Sequence, residues 1–354
     1  MTTPAAPAAL APQTRFSLPV GSEATAPPER RGVSRDGVRL LVARLGGIGH
    51  RRFHELPDLL EPGDLVVVNT SATVPAALDA SADGMPAVVH VSAPLDDGSW
   101  VVEVRRTDGS GSQPGVRRGS RLDLPGNVGL QLLDAYPDPM AVGSSRLWRS
   151  RVTPPVALAG YLARYGRPVS YGYLSGRYPL ADYQTVYAAE PGSAEMASAG
   201  RPFTTALLVR LMARGVPVAP VVLHSGVSSP ELHEPPSPER FAVPAVTARL
   251  VEGTRAAGGR VVAVGTTVVR ALETATGPDG VIRAATGWTD LVLGTDQPVR
   301  TVTGLVTGLH PPEASHLLLV EAVAGARLVD DAYRAAVDWG YRWHEFGDST
   351  LLLP

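Results

Sequence analysis

The spacing of hydrophobic and polar residues divides the chain into two kinds of sequence. In the first kind, β-branched apolar runs that predict buried strands alternate with amphipathic segments that predict helices, which is typical of an α/β domain. The predicted strands cover residues 38–45, 65–69, 216–223, 260–264 and 343–346. The predicted helices cover residues 203–214, 245–257, 266–275, 313–328 and 329–339.

A second pattern occupies residues 79–153. Short alternating segments are separated there by Gly, Pro and Asp turns, and strands are predicted at 87–92, 100–105, 120–124, 129–134 and 145–152. This pattern predicts a small antiparallel barrel or sandwich inserted into a larger domain. We therefore expect a flexible tail at residues 1–14, an α/β domain built from residues 15–78 and 154–354, and an inserted domain at 79–153.

The composition excludes several classes of protein. The 354 residues are 44% hydrophobic and 19% charged, which is too apolar for a disordered chain, and the net charge of −2 excludes a polycation. Neither lysine nor cysteine occurs, which excludes Schiff-base lysines, thiol nucleophiles and cysteine-ligated metals. No apolar run approaches the roughly 20 residues of a membrane helix, and no basic signal-peptide region begins the chain. We expect a cytoplasmic protein without a membrane partner.

The strongest local motif joins a buried strand to a helix. The strand ends at Gly265, and the helix begins with Thr266 and Thr267. Free N–H groups at a helix start favour an anion, and ligands gather at the carboxyl ends of strands in α/β sheets. The alternative is an ordinary threonine cap, with Arg270 and Glu273 as a surface pair.

Two histidines follow predicted strands or turns and are candidates for proton transfer. His224 comes directly after the strand at 216–223, and His310 precedes the helix predicted at 313–328. A histidine in such a place can act as a general base or donate to a substrate. The alternative is a structural histidine at the rim of the sheet. The eight histidines lack metal-ligand spacing, so we expect no metal site.

A long polar and aromatic loop precedes the helix at 203–214 and could recognise a nucleoside by stacking and by hydrogen bonds to hydroxyl groups. A purely structural loop of that length would be unusual in a compact domain. Its candidate residues are Tyr183, Gln184, Gly200, Phe203 and Thr204.

Arginines are concentrated in and next to the predicted inserted domain. Residues 100–155 contain eight arginines and five acidic residues, an excess of three positive charges, whereas the whole chain carries −2. Such an excess fits a surface that contacts the phosphates of a nucleic acid. A solvated face of a small barrel is the alternative.

Short segments in a fixed order carry a resemblance to a known family. They are PGDLVVVN at 62–69, YQTVYA at 183–188, AG at 199–200, FT at 203–204, LH at 223–224, VGTT at 264–267, Arg270, LET at 272–274, GWTD at 287–290, His310, YR at 341–342 and GD at 347–348. Together they resemble the S-adenosylmethionine:tRNA ribosyltransferase-isomerase family of queuosine biosynthesis, from about residue 16 to residue 353.

The resemblance implies a fold and a reaction. The fold is an α/β domain that carries an inserted β-barrel. The reaction moves the ribosyl part of S-adenosylmethionine to the aminomethyl group of a 7-aminomethyl-7-deazaguanine base in tRNA, isomerises it to an epoxycyclopentanediol, and releases adenine and methionine. S-adenosylmethionine is then a substrate and no cofactor is needed. We expect a monomer that binds tRNA through its arginine-rich inserted domain.

The implied reaction needs three kinds of group: a base for the ribose 5′-carbon beside the sulfonium, a donor to the departing adenine, and an anchor for the methionine carboxylate. We assign proton transfer to His224 and His310. We assign the carboxylate to Gly265, Thr266, Thr267 and Arg270. The implied substrate-binding set also includes Asn69, Tyr183, Gln184, Gly200, Phe203, Thr204, Glu273 and Asp290.

Four loops depart from the family pattern. The family's NDTR is NTSA at 69–72, its PTAGLHFT is ASAGRPFT at 197–204, its LHVGxGTF is LHSGVSSP at 223–230, and its HxMHxE run is reduced to Glu239. Two alternatives therefore stay open. One is a paralogue that uses S-adenosylmethionine on a small-molecule acceptor, and the other is a protein that binds S-adenosylmethionine without catalysis.

Overall fold

The computed structural model describes residues 11–140, 145–228, 236–294, 297, 299–312 and 314–354. Within these residues the chain forms a nine-stranded mixed sheet, a closed six-stranded barrel and a two-stranded ribbon. The predicted fold class, an α/β domain with a small antiparallel barrel, is confirmed. None of the helices in the described ranges has the length and apolar character needed to cross a membrane.

The strands are β1 (Arg39–Arg44), β2 (Gly47–Arg52), β3 (Leu65–Asn69), β4 (Ser71–Thr73), β5 (Ala77–Ala82), β6 (Met85–Pro94), β7 (Trp100–Arg105), β8 (Arg121–Leu124), β9 (Val128–Ala135), β10 (Leu147–Thr153), β11 (Glu190–Ser193), β12 (Val218–Leu223), β13 (Glu239–Val243), β14 (Val261–Val264), β15 (Ala285–Thr289), β16 (Gly304–Gly308) and β17 (Ser349–Leu353). The α-helices are α1 (Leu158–Tyr165), α2 (Thr205–Ala213), α3 (Ala245–Ala256), α4 (Thr266–Ala275), α5 (Ser315–Ala324) and α6 (Ala326–Asp338). Short 3₁₀ turns lie at Pro28–Arg31, Arg35–Gly37, Phe53–Asp58, Leu180–Tyr183 and Ser198–Gly200.

The centre of the large sheet is parallel and buried on both faces. Its strand order is β15-β13-β12-β3-β14-β16-β17-β1-β2, and β12, β3, β14 and β16 run parallel. In β3, Leu65 and Val67 belong to a core with α3 to α6, whereas Val66 and Val68 belong to a core with α2. Helices thus cover both faces, which explains why the strand is apolar at every position.

The barrel closes in the order β10-β7-β6-β5-β8-β9, and all its neighbouring strands are antiparallel. Alternate apolar residues such as Val102 and Leu130 fill its interior, and Tyr161 and Leu162 of α1 pack into the same cluster. Neither α1 nor β5 was predicted from the sequence, and the Ala-Leu-Asp-Ala-Ser-Ala sequence of β5 lacks β-branched residues. The barrel strands span residues 77–153. The proposed domain boundaries at 79 and 153 stay a prediction.

The predicted last strand at residues 343–346 is wrong. The strand is β17 instead, and its five residues are all buried between β1 and β16. Trp343 and Phe346 pack into separate cores. Between them, His344 has a φ of 68°, a left-handed conformation that does not continue a strand.

The predicted break between the last two helices is also misplaced. It falls at Gly325, whose φ of 79° ends α5 at Ala324, rather than between residues 328 and 329. An apolar run that continues across the break hides it from a periodicity analysis. The predicted start at residue 313 lies outside the described residues. The helix at 203–214 is confirmed as α2, with the Thr204 hydroxyl accepting a bond from the Leu207 N–H and Gly215 just beyond its end.

Candidate active site

A cavity of about 270 Å³ lies at the carboxyl ends of the parallel strands β14 and β16. Its wall combines the start of α4, the start of α5, the barrel residue Arg146, and three loops at residues 194–199, 225–228 and 344–345. Six of the predicted site residues line it: Tyr183, Gly265, Thr266, Thr267, Arg270 and His310. Ligands of α/β sheets gather at this edge, so the cavity is the candidate active site.

The start of α4 forms one side of the cavity. Gly265 has a φ of 94° and donates its N–H to the Val306 carbonyl at 2.7 Å, which joins the turn to β16. Thr266 and Thr267 follow in the first turn of the ten-residue helix, where N–H groups have no partner within the helix. Asn69 lies behind this turn and donates to the Thr267 hydroxyl at 3.3 Å and to the Leu223 carbonyl at 2.8 Å. Asn69 therefore orients Thr267 from outside the cavity.

The side chain of Arg270 is buried and engaged by protein groups. It pairs with the Glu239 carboxylate and donates to the carbonyls of Leu291, Ser237 and Thr289 at 3.1 to 3.2 Å. Burial raises the pKa of Glu239, and the charge of Arg270 opposes that rise. The pair ties α4 to β13 and β15 in the cavity wall. Direct contact between Arg270 and a substrate stays a prediction.

Two histidines stack face to face in the wall. The rings of His310 and His316 are 4.8 Å apart and nearly parallel, and the Nε2 of His310 lies 3.0 Å from the Thr307 hydroxyl. Burial holds the pKa of His310 well below its ordinary value, helped by the charges of His316 and His344, and lowers that of His316 to about 4. Both imidazoles are therefore neutral at pH 7.

Two carboxyl groups in the wall are each held by a tyrosine. The hydroxyl of Tyr171 donates to Glu195, and the hydroxyl of Tyr173 donates to Glu345 at 2.7 Å. The two tyrosine rings stack on each other with centroids 6.1 Å apart, and His344 stacks on Tyr173. Burial raises the pKa of Glu195 to about 7 and that of Glu345 to about 7, although their hydrogen bonds oppose the rise.

The barrel supplies buried charges beside this pair of tyrosines. Glu103 is fully buried on β7 and lies 2.9 Å from Arg105 and 3.5 Å from Arg146. The Arg105 guanidinium stands over the ring of Tyr171 at 5.4 Å. Arg146 itself lines the cavity. The network therefore connects the barrel wall to Glu195 through Tyr171.

Three predicted site residues make structural contacts away from the cavity lining. His224 places its Nδ1 2.7 Å from the Ser71 hydroxyl, and burial lowers its pKa. Gln184 both donates to and accepts from the backbone of Thr73. Glu273 accepts three backbone N–H groups from the loop at residues 300–302. These contacts account for each side chain without a ligand, and their role in binding stays a prediction.

The other four predicted residues also lie outside the cavity lining. Phe203 is fully buried against other aromatic rings, and Thr204 caps α2. Gly200 approaches the Tyr187 hydroxyl so closely that a Cβ at this position would overlap it. Asp290 is exposed at the end of β15.

Most of the polar cavity wall was not predicted from the sequence. The missed residues are Arg146, Tyr171, Tyr173, Glu195, Glu239, His316, His344 and Glu345. Of these, only Glu239 drew attention, as the remnant of a family motif. His316 lies on α5 and Arg146 immediately before β10, and the remaining residues belong to loops without a periodic pattern, so only the tertiary fold brings these groups together. No group of three His, Asp or Glu side chains in the described part of the chain is arranged to hold a metal ion.

Comparisons with known proteins bear on this site. A family model described as queuosine biosynthesis protein matches residues 12–352. The S-adenosylmethionine:tRNA ribosyltransferase-isomerase of Moorella thermoacetica is 36% identical over 368 residues, with 96% of this chain and 98% of that protein covered. The enzyme of the same name from Anaeromyxobacter dehalogenans strain 2CP-1 is 38% identical over 355 residues, with coverage of 96% and 97%.

A solved structure is similar over the same length. The crystal structure of S-adenosylmethionine tRNA ribosyltransferase from Thermotoga maritima superposes with a TM-score of 0.53 and 32% sequence identity. The match covers 96% of this chain and 99% of that one. The similarity therefore includes both the large sheet and the barrel.

Proposed function

This chain belongs to the queuosine biosynthesis protein family, and we propose that it catalyses the S-adenosylmethionine:tRNA ribosyltransferase-isomerase reaction. The ribosyl part of S-adenosylmethionine is transferred to the aminomethyl group of a 7-aminomethyl-7-deazaguanine base in tRNA and isomerised to an epoxycyclopentanediol. Adenine and methionine are released. The observation that carries the proposal is the meeting of three separate family segments, at Tyr183, 265–270 and His310, in one cavity.

The polar groups of the cavity suit S-adenosylmethionine as a substrate. The N–H groups and hydroxyls of Thr266 and Thr267 offer donors for the methionine carboxylate. Two carboxyl side chains without an arginine partner among the described residues, those of Glu195 and Glu345, line the cavity and suit a positively charged substrate. His310 is neutral at pH 7 and has an imidazole available for proton transfer at the ribose. The chemistry proceeds with S-adenosylmethionine as substrate and without a cofactor.

The barrel offers a surface for the tRNA phosphates. Four of its arginines are engaged, since Arg105 and Arg146 surround Glu103 and two others pair with Asp97 and Asp134. The other four, Arg106, Arg117, Arg121 and Arg151, are exposed and form no ion pair with the described residues. Arg121 and Arg151 both lie opposite Gln131 and so share one outer face. With tRNA as the acceptor, the proposal extends to a cytoplasmic, monomeric enzyme.

The decisive experiment follows adenine release from S-adenosylmethionine. The purified protein is incubated with tRNA that carries 7-aminomethyl-7-deazaguanine, with the same tRNA carrying guanine, and without tRNA. Release only with the modified tRNA supports the proposal. Release without tRNA supports the paralogue with a small-molecule acceptor, and binding without release supports the non-catalytic alternative.

One observation favours the small-molecule alternative as the second candidate. Three of the loops that depart from the family pattern contribute directly to the cavity, through Ala197 and Ser198, through residues 225–228, and through Glu239. A changed acceptor would be expected to change this wall. Screening primary amines for adenine release in the absence of tRNA tests it.

A further inference from the structure

The Tyr173–Glu345 pair stands out among the polar groups of the cavity, since its carboxylate has no cationic partner among the residues that the structure describes. Glu239, by contrast, is neutralised by Arg270. Glu195 is fully engaged, because it accepts from Tyr171 and from both the N–H and the hydroxyl of Ser228. Within the described ranges, the one side-chain hydrogen bond to the carboxyl of Glu345 comes from Tyr173 and reaches Oε2. Its second oxygen is therefore available to a ligand.

A second, independent observation points to a ligand at the same place. Tyr183 is 3% exposed and lines the cavity, and its buried hydroxyl has no hydrogen-bond partner within the described residues. Burial raises the pKa of this hydroxyl, the charge of Glu345 adds to the rise, and the nearby side chain of Ser170 opposes it. A buried hydroxyl without a partner costs free energy, and a ligand that donates and accepts hydrogen bonds would remove that cost.

We propose that Glu345, with Glu195 beside it, forms the subsite for the acceptor amine, and that Glu345 accepts the proton which makes this amine a nucleophile. The inference rests on the proposed function, which requires a primary ammonium group as acceptor. In this step one N–H bond of the ammonium breaks and an O–H bond forms on Glu345. The nitrogen keeps the electron pair that will form the new bond to the transferred group, and no other reactant takes part.

The protonation behaviour of Glu345 supports this assignment. A general base is most effective when its pKa lies near the working pH, and burial together with the charge of Glu195 raises the pKa of Glu345 to about 7. The titratable and charged groups that face the two carboxyls are Tyr171, Tyr173, Tyr183, Glu103, Glu239, Arg146, Arg270, His310, His316 and His344. The hydrogen bond from Tyr173 lowers the pKa of Glu345, so this tyrosine sets the pH range in which the base works.

The test is the pH profile of kcat/KM for transfer to the modified tRNA, measured for the wild type, Glu345→Gln, Tyr173→Phe and Glu61→Gln. Glu61 is exposed at the opposite end of β3 and provides the matched control. We expect the wild type to lose activity as the pH falls through about 7. Glu345→Gln should lower kcat by about 100-fold or more and remove this pH dependence, while Glu61→Gln should leave both unchanged.

Tyr173→Phe keeps the carboxyl and removes only the donor, so it tests the inference even if Glu345→Gln does not fold. Its profile should keep the same shape and move to higher pH, because the hydrogen bond that lowered the pKa is lost. If the wild type turns over but Glu345→Gln keeps its profile and a rate within about twofold, the inference is overturned and the proposed function stands. If the wild type shows no transfer to the modified tRNA, both are overturned.

Discussion

Arg270 on α4 and Glu239 on β13 form an ion pair in the wall of the cavity, and the guanidinium is almost completely buried. The same guanidinium donates to the carbonyl of Ser237, just before β13, and to those of Thr289 and Leu291, at and just after the end of β15. One side chain therefore fixes the relative positions of the helix that begins at Thr266 and the edge of the large sheet.

Replacing Arg270 by alanine should strongly destabilise the fold. The change leaves a buried carboxylate without its partner and three carbonyls without donors, a loss of about 3–5 kcal/mol in the free energy of unfolding. S-adenosylmethionine affinity should also fall, by about 1.5–3 kcal/mol if the guanidinium contacts the substrate directly. Denaturant unfolding and isothermal calorimetry measure the two effects. The double variant Arg270→Ala with Glu239→Gln should recover part of the stability, because no unpaired charge remains.

Arg283→Ala is the matched control for this prediction. Arg283 pairs with Asp279 across one turn, and both side chains are more than half exposed, at 59% and 51%. Exposed pairs of this kind contribute little to stability. A Tm for Arg270→Ala equal to that of Arg283→Ala would contradict a structural role for the buried pair.

The raised pKa values of Glu195 and Glu345 predict how stability depends on pH. Each carboxyl has a pKa of about 7 in the folded protein, above the ordinary value of 4.5. Between these two pH values the folded state binds more protons than the unfolded state, so stability falls as the pH rises. Glu345→Gln should be more stable than the wild type at pH 8, by up to about 3 kcal/mol, and equally stable near pH 4.

Urea unfolding across this pH range measures the effect, with Glu61→Gln as the control that should follow the wild type. If the free energy of unfolding depends on pH equally in the wild type and in Glu345→Gln, this carboxyl is already ionised at neutral pH. The measurement needs no substrate, so it reports on the site independently of any enzymatic activity.

A close approach between Gly200 and Tyr187 predicts a rescue experiment. A Cβ at residue 200 would overlap the Tyr187 hydroxyl, which is buried and has no hydrogen-bond partner within the described residues. Gly200→Ala should therefore cost about 1–3 kcal/mol of stability. Tyr187→Phe removes the overlapping atom and should restore most of that loss in the double variant. Equal losses in the single and double variants, measured by thermal unfolding, would contradict this packing.

Much of the fold follows from the sequence because its signals are local. The runs that become β3 and β7 are predicted residue by residue, and the cap at Thr204 locates the start of α2. The predicted positions of the break at Gly325 and of the strand β17 are wrong. An apolar sequence continues through the helix break, and aromatic residues that resemble a strand precede β17. Strands such as β15 and β16 contain glycine and depend on their neighbours in the sheet.

The candidate site is predictable only where a motif lies at a strand end. Gly265, Thr266 and Thr267 follow a predicted strand, so the sequence places them at a carboxyl edge of the sheet. His310 is predicted only to precede a helix, and β16, which brings it to the same edge, was not predicted. Glu195 and Glu345 are 150 residues apart and lie in irregular loops. Their chemistry arises from burial and from two tyrosine hydroxyls, which no local pattern encodes.

His224 and His310 are expected to respond differently to the same substitution. His224 bonds Ser71 outside the cavity lining, so His224→Ala should cost about 1 kcal/mol of stability and change kcat less than about twofold. His310 lines the cavity, and His310→Ala should lower kcat by about 10-fold or more. Steady-state kinetics and thermal unfolding of both variants separate the two roles. A large fall in kcat at full stability for His224→Ala would assign that histidine to catalysis instead.

Salt dependence tests whether the barrel arginines contact tRNA. Each arginine that neutralises a phosphate releases counterions, so its removal reduces the slope of log affinity against log salt concentration by about 1. Arg121 and Arg151 are exposed on one face on either side of Gln131, and the double alanine variant should reduce the slope by about 2. The affinity for S-adenosylmethionine measured without tRNA should be unaffected. Arg249→Ala, an exposed arginine on α3, removes one positive charge and should leave the slope unaltered, whereas Arg121→Ala or Arg151→Ala, which each also remove one charge, should reduce it by about 1.

The comparison of these variants separates a specific contact from a general effect of charge. Weaker binding in the barrel variant and in Arg249→Ala alike would mean that tRNA responds only to the net charge of the protein. An unaltered slope in the barrel variant would remove this face from the tRNA interface. The excess positive charge of the barrel would then be a property of its solvated surface, and the contact with tRNA would have to be sought on another face of the protein.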